Sequence, residues 1–226
     1  MKWFVGVDVG GTFTDFFATE YRSGLIKYFK RPSTPDNPEQ AIAYGLREMC
    51  DKLAINPHEI GRLSHGTTVA TNSLIQRRGG KVALITTEGF RDLLEIGRQT
   101  RPHMYSLQED QPDPLVPRAR RFEAKERVNS AGKVIKQLDE VELEKVFDAI
   151  ESSSAESVAV CCLFSFLNKK TEIRIGKLLK QRFPMMNISL SSRVRPEFRE
   201  YERCSTTVLN AYLQPVMGNY MTNLEK

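Results

Sequence analysis

The chain has 226 residues, of which 40% are apolar and 27% are charged, and it carries a formal net charge of +5. That length and composition are enough for one large or two small globular domains with a hydrophobic core. The longest apolar run, Val158 to Phe166, is interrupted by Ser165 and is far too short to span a bilayer. The first residues lead into a strand pattern and do not form a signal peptide, so we expect a cytoplasmic protein with no membrane partner.

The positive charge does not indicate a nucleic-acid partner, because acidic and basic residues alternate along the chain. Its one basic cluster, Arg118 to Arg121, lies in a proline-rich segment without interleaved aromatic side chains, and we expect it to be solvated surface. The four cysteines are scattered and form no C-x-x-C pattern, which favours reduced, buried thiols over a disulfide or a zinc site. Phosphate groups are the only anionic ligands that we expect.

The first predicted elements are two strands joined by a glycine turn. Alternating apolar residues from Trp3 to Val9 predict a strand with one buried face, and Phe16 to Thr19 predicts a second strand. Between them lie Gly10-Gly11 and two hydroxyl side chains, Thr12 and Thr14. Glycine lets a backbone approach an anion, and successive N–H groups in a tight turn form an anion-binding concavity. The turn is therefore predicted to bind phosphate.

Asp8 precedes this turn and would be repelled by a phosphate placed directly against it. We expect it to hold Mg²⁺ through water, because Mg²⁺ keeps much of its hydration shell and takes few protein ligands. The alternative is an ordinary hairpin with a Gly-Gly turn and threonines that favour strands. The stretch is neither a Walker loop, since no Gly-Lys-Thr/Ser follows, nor a dinucleotide fingerprint, since Gly10-Gly11 opens a strand.

The first half of the chain then alternates between strands and helices, which is the pattern of an α/β fold. A helix start is predicted at Asp36-Asn37-Pro38-Glu39, where proline follows a capping residue. The other predicted elements are strands at Leu25 to Lys30, Arg62 to Ser64 and Val82 to Thr86, a helix from Val69 to Arg78 closed by Gly79-Gly80, and a short helix at Gly89 to Ile96.

The second half begins with a proline-rich loop, Gly97 to Arg121, which is long enough to be a functional segment or a domain boundary. We expect a first domain at residues 1–100, the loop at 101–121, and a second α/β part at 122–226. That part is predicted to hold a hairpin of Phe122 to Val128 with Val134 to Leu138, a helix from Asp139, a central strand at Ser157 to Leu163, a helix at Lys170 to Phe183, a strand at Ile188 to Leu190, and a last helix at Phe198 to Leu224 that Pro215 kinks or splits.

A second candidate site is the strand-to-helix junction His65-Gly66-Thr67-Thr68. Free N–H groups at a helix N-terminus favour an anion or a polarised carbonyl oxygen, and glycine lets a ligand come close. The alternative is a threonine cap with His65 making one hydrogen bond in the core. The residues alone leave both interpretations open.

Arginines form a third candidate. Arg98 and Arg101 lie in a Gly-Arg-x-x-Arg pattern at the mouth of the proline loop, where a planar guanidinium can bind a carboxylate or phosphate. Arg91 is instead expected to pair with Asp92 or Glu95 on a helix face. The charged residues from Glu197 to Arg203 are likewise expected to form ion pairs on a solvated face.

The Asp8 to Asp15 string, Asp-x-Gly-Gly-Thr-Phe-Thr-Asp, resembles the first phosphate loop of the actin, sugar-kinase and heat-shock ATPase superfamily, and within it the hydantoinase A / 5-oxoprolinase family. The run His65 to Asn72 is similar to a hallmark of that family. Further similar blocks are Thr86 to Pro102, Glu126-Arg127-Val128, Pro196 to Arg203 and Asn210 to Leu213. The resemblance extends from Val5 to about Met217, but the family pattern has serine and threonine where this chain has Arg195 and Cys204, which puts any role at those positions in doubt.

The resemblance implies a ribonuclease H-like mixed sheet and ATP-dependent opening of a cyclic amide, such as 5-oxoproline or a hydantoin, through a phosphorylated carbonyl. It implies ATP and Mg²⁺ as cofactors, Asp8 holding Mg²⁺, and Gly10 to Thr14 around the phosphates. His65 to Thr68, Arg98 and Arg101 would face the substrate, with His65 orienting or exchanging a proton at the ring carbonyl.

Family members are longer, so the resemblance also implies an absent C-terminal half and a second, hydantoinase B-like subunit or domain. The alternatives are a small-molecule kinase of the same superfamily, an acetone carboxylase-type subunit, and a non-catalytic, nucleotide-dependent scaffold.

Overall fold

A computed structural model describes residues 2–34, 37–100, 105 and 112–224. The chain divides into a first unit, Met1–Arg78 with Val216–Lys226, and a second unit, Gly79–Pro215. This differs from the predicted boundaries at residues 100 and 121. Val82 to Thr87, expected in the first part, is hydrogen-bonded into the sheet of the second unit.

The elements alternate as an α/β fold requires. The strands are β1 (Trp3–Val9), β2 (Phe13–Glu20), β3 (Ile26–Pro32), β4 (Ile60–Thr67), β5 (Val82–Thr87), β6 (Arg121–Ala124), β7 (Arg127–Val128), β8 (Val134–Lys136), β9 (Ser157–Cys161) and β10 (Asn187–Leu190). The helices are α1 (Pro38–Leu53), α2 (Val69–Ile75), α3 (Leu93–Ile96), α4 (Glu140–Ser152), α5 (Lys170–Arg182), α6 (Ser191–Val194) and α7 (Glu200–Leu224).

The first unit contains a mixed sheet in the order β3-β2-β1-β4. β1 pairs antiparallel with β2 and parallel with β4, and β2 pairs antiparallel with β3. This confirms the predicted antiparallel start, with strands that extend a few residues beyond the predicted ends. Because side chains alternate between the faces of a strand, β1 buries Trp3, Val5, Val7 and Val9 on one face and exposes Asp8 on the other.

A hydrophobic core covers the buried face of this sheet. α1 contributes Ile42 and Met49, and the end of α7 contributes Tyr220. The helix start at Asn37-Pro38 is confirmed, with Asn37 at the cap position, while Asp36 lies outside the described residues. α1 contains Gly45, and a Cβ there would lie 2.1 Å from Cζ of the fully buried Phe16. Glycine at this point therefore lets the helix pack onto β2.

The end of α2 differs from its prediction. The helix stops at Ile75, and Arg77 adopts a left-handed backbone with φ of 52°. Gly79 therefore does not close the helix. It lies in the second unit, where a Cβ would come within 2.2 Å of the Tyr212 ring, so glycine there serves packing.

The second unit contains a parallel sheet in the order β10-β9-β5-β6. β5 and β9 are the inner strands and are buried along their whole length, as parallel strands covered on both faces usually are. The predicted hairpin after the proline loop is only partly correct. Its first segment supplies β6, which pairs with β5, and only β7 and β8 form an antiparallel pair.

The remaining helices largely confirm their predictions. Asp139 caps α4 by accepting a hydrogen bond from the Glu142 N–H at 3.0 Å. α7 continues through Pro215, so of the two expected effects, a kink or a split, the split does not occur; the division between the two units falls directly after this residue. All four cysteines are free and buried, as expected. In the described part of the chain, no helix is long and apolar enough to cross a membrane.

Two arginines expected on solvated surfaces are buried instead. Arg121 is 1% exposed and donates to the Val116 carbonyl at 2.9 Å and to Glu95 at 2.7 Å. Arg203 is fully buried and donates to the Cys162 carbonyl at 2.9 Å. Each buried guanidinium is tolerated because backbone and side-chain acceptors surround it.

The expected pairing of Arg91 is also wrong. Its guanidinium donates to the Arg118 carbonyl at 3.1 Å, while Asp92 accepts from the Arg118 side chain at 2.9 Å. Glu95 is bound by Arg121. The two carboxylates that were expected to pair with Arg91 are therefore bound by Arg118 and Arg121.

We expect Gly45→Ala to lower the free energy of unfolding by about 1–3 kcal/mol, because the added methyl group would overlap Phe16 in a filled core. Gly218→Ala is the matched control. It is also a helical glycine of the first unit, but a Cβ there meets no atom within 4 Å, so this change should stabilise the protein by about 0.5–1 kcal/mol. Denaturant unfolding measures both, and equal stabilities of the two variants would contradict the packing described.

Candidate functional site: a glycine turn, a free carboxylate and an amide-lined pocket

The turn between β1 and β2 is held by the start of the segment that follows β3. The Gly10 N–H donates to the Phe13 carbonyl at 3.0 Å, and the Ser33 hydroxyl donates to the Gly10 carbonyl at 2.8 Å. Gly11 and Thr12 are exposed, and their N–H groups bond to no acceptor in the described part of the chain. The turn thus presents two adjacent N–H donors and the Thr12 hydroxyl.

Both glycines of the turn have close neighbours. A Cβ at Gly10 would lie 3.0 Å from the Phe13 carbonyl oxygen, and one at Gly11 would lie 3.3 Å from Nδ2 of Asn72. Larger residues would therefore disturb the turn or its contact with α2. This cradle is of the kind that admits an anion close to the backbone.

Thr14 has a different role from the one expected. Its side chain is fully buried, and its Oγ1 lies 2.9 Å from the Ser33 hydroxyl. Because the Ser33 hydroxyl donates to the Gly10 carbonyl, Thr14 donates in turn to Ser33. The Thr14 hydroxyl supports the turn from within and does not face a ligand.

Asp8 is the free carboxylate of the sheet's open face. It lies opposite Asp15 in the β1–β2 pair, and Asp15 is held by the Lys30 ammonium at 3.1 Å and by the Tyr28 hydroxyl. The Tyr28 hydrogen bond lowers the pKa of Asp15, and Lys30 adds to this effect. Asp8 has no hydrogen bond or ion pair with the other described residues.

The neighbour of Asp8 on β4 is a glycine, which has no side chain. Asp8 lies opposite Gly66 in the β1–β4 pair, and a Cβ on Gly66 would come within 3.4 Å of Asp8 Oδ1. The described residues contain no group of three or more His, Cys, Asp or Glu side chains that could hold a metal ion. An unpaired carboxylate next to a phosphate-type turn nevertheless fits Mg²⁺, which is usually bound through one or two carboxylates and keeps several waters.

His65 lies on the other face of the sheet from Asp8. It pairs with Val7 in register, and its Nε2 is hydrogen-bonded to the Tyr220 hydroxyl from the end of α7. Nδ1 is buried and makes no hydrogen bond of normal geometry within the described chain, although the Val7 carbonyl is near the ring. The half-buried ring with one hydrogen bond agrees in part with the alternative interpretation of His65 as a core histidine.

The threonines after His65 build the junction with α2. The Thr68 N–H donates to the Val9 carbonyl at 3.2 Å, and the Thr67 hydroxyl accepts from the Val69 N–H at 3.1 Å. Asn72 donates from Nδ2 to the Thr68 hydroxyl at 3.2 Å. These bonds place the first turn of α2 against the end of β1, beside the glycine turn.

The arginine candidates belong to the second unit. Arg98 donates from Nε to Glu202 at 2.8 Å, and its guanidinium lies 5.9 Å from the centre of the Tyr201 ring. The Arg98 hydrogen bond lowers the pKa of Glu202. Arg98 therefore contacts a carboxylate and an aromatic ring, while Arg101 lies outside the described residues.

A cavity of about 470 Å³ opens beside the glycine turn within the first unit. Its walls come from Gly10-Gly11, the start of α1, the length of α2 and the end of α7. Sequence analysis missed most of its lining residues. The only signal was spacing, because Asn72 and Gln76, and likewise Asn219 and Asn223, are four residues apart and so share a helix face.

Comparisons with known proteins show the family of the chain. Residues 4–183 match the family model of the hydantoinase/oxoprolinase N-terminal region, and the chain belongs to that family. It is 37% identical over 227 residues to the caprolactamase subunit alpha of Pseudomonas jessenii, covering 98% of this chain and 32% of the relative. The chain thus spans about a third of this relative's length.

Two solved structures have a similar fold. The crystal structure of the ATP-dependent caprolactamase from Pseudomonas jessenii matches with a TM-score of 0.88 and 36% identity, over 98% of this chain and 33% of that chain. A nucleotide-free acetone carboxylase structure matches with a TM-score of 0.87 over 99% of this chain and 34% of that chain. Its identity is 23%, so this likeness concerns the fold alone.

We expect His65 to titrate below its ordinary pKa of 6.5, because burial lowers the pKa more than the Val7 carbonyl and the Asp8 charge raise it. The unfolded chain then binds the proton more readily than the folded one. The resulting stability is present above about pH 6.5 and is lost as the pH falls through the lowered pKa.

Histidine NMR signals, assigned with His65→Gln, measure the titration directly. As the pH falls from about 7 to 5, the free energy of unfolding should decrease more steeply for the wild type than for His65→Gln. His58→Gln, which changes an exposed histidine, is the control and should retain the wild-type slope. A His65 signal that titrates at or above 6.5 would contradict its burial.

Proposed function

We propose that this chain is the phosphate-binding part of an ATP-dependent hydrolase that opens a cyclic amide. The observation that carries the proposal is the unpaired Asp8 carboxylate next to a turn with two free N–H donors. Membership of the hydantoinase/oxoprolinase family and the likeness to an ATP-dependent caprolactamase support the reaction class. We also propose that the mixed sheet of the first unit is ribonuclease H-like.

The residues have distinct roles in this proposal. Asp8 would hold Mg²⁺ through water, and Gly10, Gly11 and Thr12 would bind the terminal phosphates of ATP. Thr14 supports the turn through Ser33. His65 contributes through its hydrogen bond to Tyr220 and makes no direct contact with the reacting phosphate, because it lies on the opposite face of the sheet.

A carboxylate beside a phosphate-binding turn fits the main chemical obstacle of this reaction, the stability of the ring amide. A ring amide resists hydrolysis because it is stabilised by resonance, and phosphorylation of its carbonyl oxygen turns that oxygen into a leaving group. A bound Mg²⁺ would neutralise charge on the transferred phosphoryl group. The turn would position that group through N–H donors fixed before the reaction, so little reorganisation is needed.

The remaining parts of the enzyme are proposed to lie outside these residues. The chain spans about a third of the caprolactamase subunit that it resembles. We therefore expect the adenosine-binding residues in a further part of the enzyme, and a second, hydantoinase B-like subunit or domain as partner. Arg98 and Arg101 remain proposed contacts to the substrate from the second unit.

In the assembled enzyme, Asp8→Asn should abolish most ATP-dependent ring opening and leave the melting temperature unchanged. The change removes the charge that attracts Mg²⁺ but keeps the size of an exposed side chain. Asp51→Asn, which changes an exposed carboxylate on α1, is the control and should retain activity. The measurements are ring-opened product, ADP release and thermal unfolding for each variant.

The outcomes separate the competing functions. A stable phosphorylated product without ring opening would indicate a small-molecule kinase, and carboxylated product would indicate an acetone carboxylase-type subunit. ATP turnover that no cyclic amide stimulates would favour a nucleotide-dependent scaffold. If Asp8→Asn melts earlier and loses activity in proportion, Asp8 is a structural residue and the proposal is wrong.

A further inference from the structure

The cavity beside the glycine turn is lined by several carboxamide side chains. α2 contributes Asn72 and Gln76, which lie one turn apart, and the end of α7 contributes Asn219 and Asn223 with the same spacing. Two helices of the first unit therefore each present a pair of amide groups to one cavity. Its volume of about 470 Å³ is in the range of small-molecule sites.

Several of these groups have hydrogen-bonding capacity to spare. The side chains of Gln76 and Asn219 make no hydrogen bond to other described residues. Asn72 uses its Nδ2 to bond the Thr68 hydroxyl at 3.2 Å, and its carbonyl oxygen makes no bond within the described part. Amide groups that are not used by the fold are available to a ligand.

We propose that this cavity binds the ring amide of the substrate, an inference that rests on the proposed function. The amide of a small lactam is held cis by the ring, so its N–H and C=O point to the same side. A carboxamide side chain offers a donor and an acceptor with the same spacing. Gln76 or Asn219 can therefore pair with a lactam through two parallel hydrogen bonds, which an open-chain trans amide cannot form.

The rest of the lining fits a ring with methylene groups. Val69 and Val216, which are partly exposed, supply apolar surface. The cavity also shares Gly10 and Gly11 with the phosphate turn, so a lactam bound here lies against the same backbone that is proposed to bind the phosphates. The carbonyl oxygen of a bound lactam and the terminal phosphoryl group of ATP would therefore both lie next to Gly10 and Gly11.

The charged residues of the cavity define the substrate class further. Glu39 accepts a hydrogen bond from Asn223 Nδ2 at 3.2 Å, whereas Arg78 has no ion pair with the described residues. The lining therefore carries one carboxylate and one guanidinium, neither in an ion pair with the described residues, and the Arg78 guanidinium suits a lactam that is neutral or carries a single carboxylate.

The test uses the 226-residue chain and ¹H–¹⁵N NMR, with ε-caprolactam as the probe. Caprolactam should shift the side-chain amide signals of Asn72, Gln76 and Asn219 in a saturable way. N-Methylcaprolactam, which lacks the N–H donor, should bind about 5- to 10-fold more weakly, because one partner of the pair is lost.

Variants assign the effect to the cavity. Gln76→Met and Asn219→Leu, which keep side-chain size, should each weaken caprolactam binding by about 5- to 10-fold. Gln181→Met is the matched control, since Gln181 is an exposed helical glutamine of the second unit. Arg78→Met should weaken binding of 5-oxoproline, which carries a carboxylate, more than binding of neutral caprolactam.

Two results would overturn the inference. One is the absence of saturable shifts at millimolar caprolactam in a chain whose spectrum shows that it is folded. The other is a shift of the Gln76 and Asn219 signals by Mg²⁺ with a nucleotide and not by either lactam, which would make the cavity part of the nucleotide site. Failure of the proposed function would give a different result. In that case, the backbone amide signals of Gly11 and Thr12 would not shift when Mg²⁺ and a nucleotide are added.

Discussion

The arrangement of the first unit depends on the strict two-residue alternation of β1 and on its register with two neighbours. The buried valines fix which face of the strand meets the core, and this forces Asp8 to the open face. The parallel pairing with β4 then puts Gly66 beside Asp8 and His65 beside Val7. A shift of one residue would exchange the faces and bring the carboxylate into the core.

The sequence was informative wherever a local pattern had a single physical explanation. Alternating valines predicted β1, Asn37-Pro38 predicted the start of α1, and Asp139 predicted the start of α4, and all three are confirmed. The glycine turn was also predicted at the correct residues. In each case the residues that determine the structure are within a few positions of one another, so no distant partner had to be known.

Distant partners explain most of the errors. His65 is bonded to Tyr220, 155 residues further along the chain, and no local pattern indicates that contact. Arg121 and Arg203 look like surface residues in the sequence, yet tertiary structure surrounds them with carbonyl and carboxylate acceptors. The Thr14 hydroxyl was expected to bind phosphate. Strand alternation instead buries Thr14 beneath the turn that it supports.

The central claim is that Asp8 and the glycine turn together bind a magnesium-bound polyphosphate. The most direct measurement is to add Mn²⁺ with pyrophosphate to the ¹⁵N-labelled chain and record paramagnetic broadening of its backbone amide signals. The account predicts selective broadening at Asp8, Gly11 and Thr12 that Mg²⁺ relieves by competition and that Asp8→Asn removes. Equal broadening in Asp8→Asn, or broadening spread over the charged surface without effect at the turn, would contradict it.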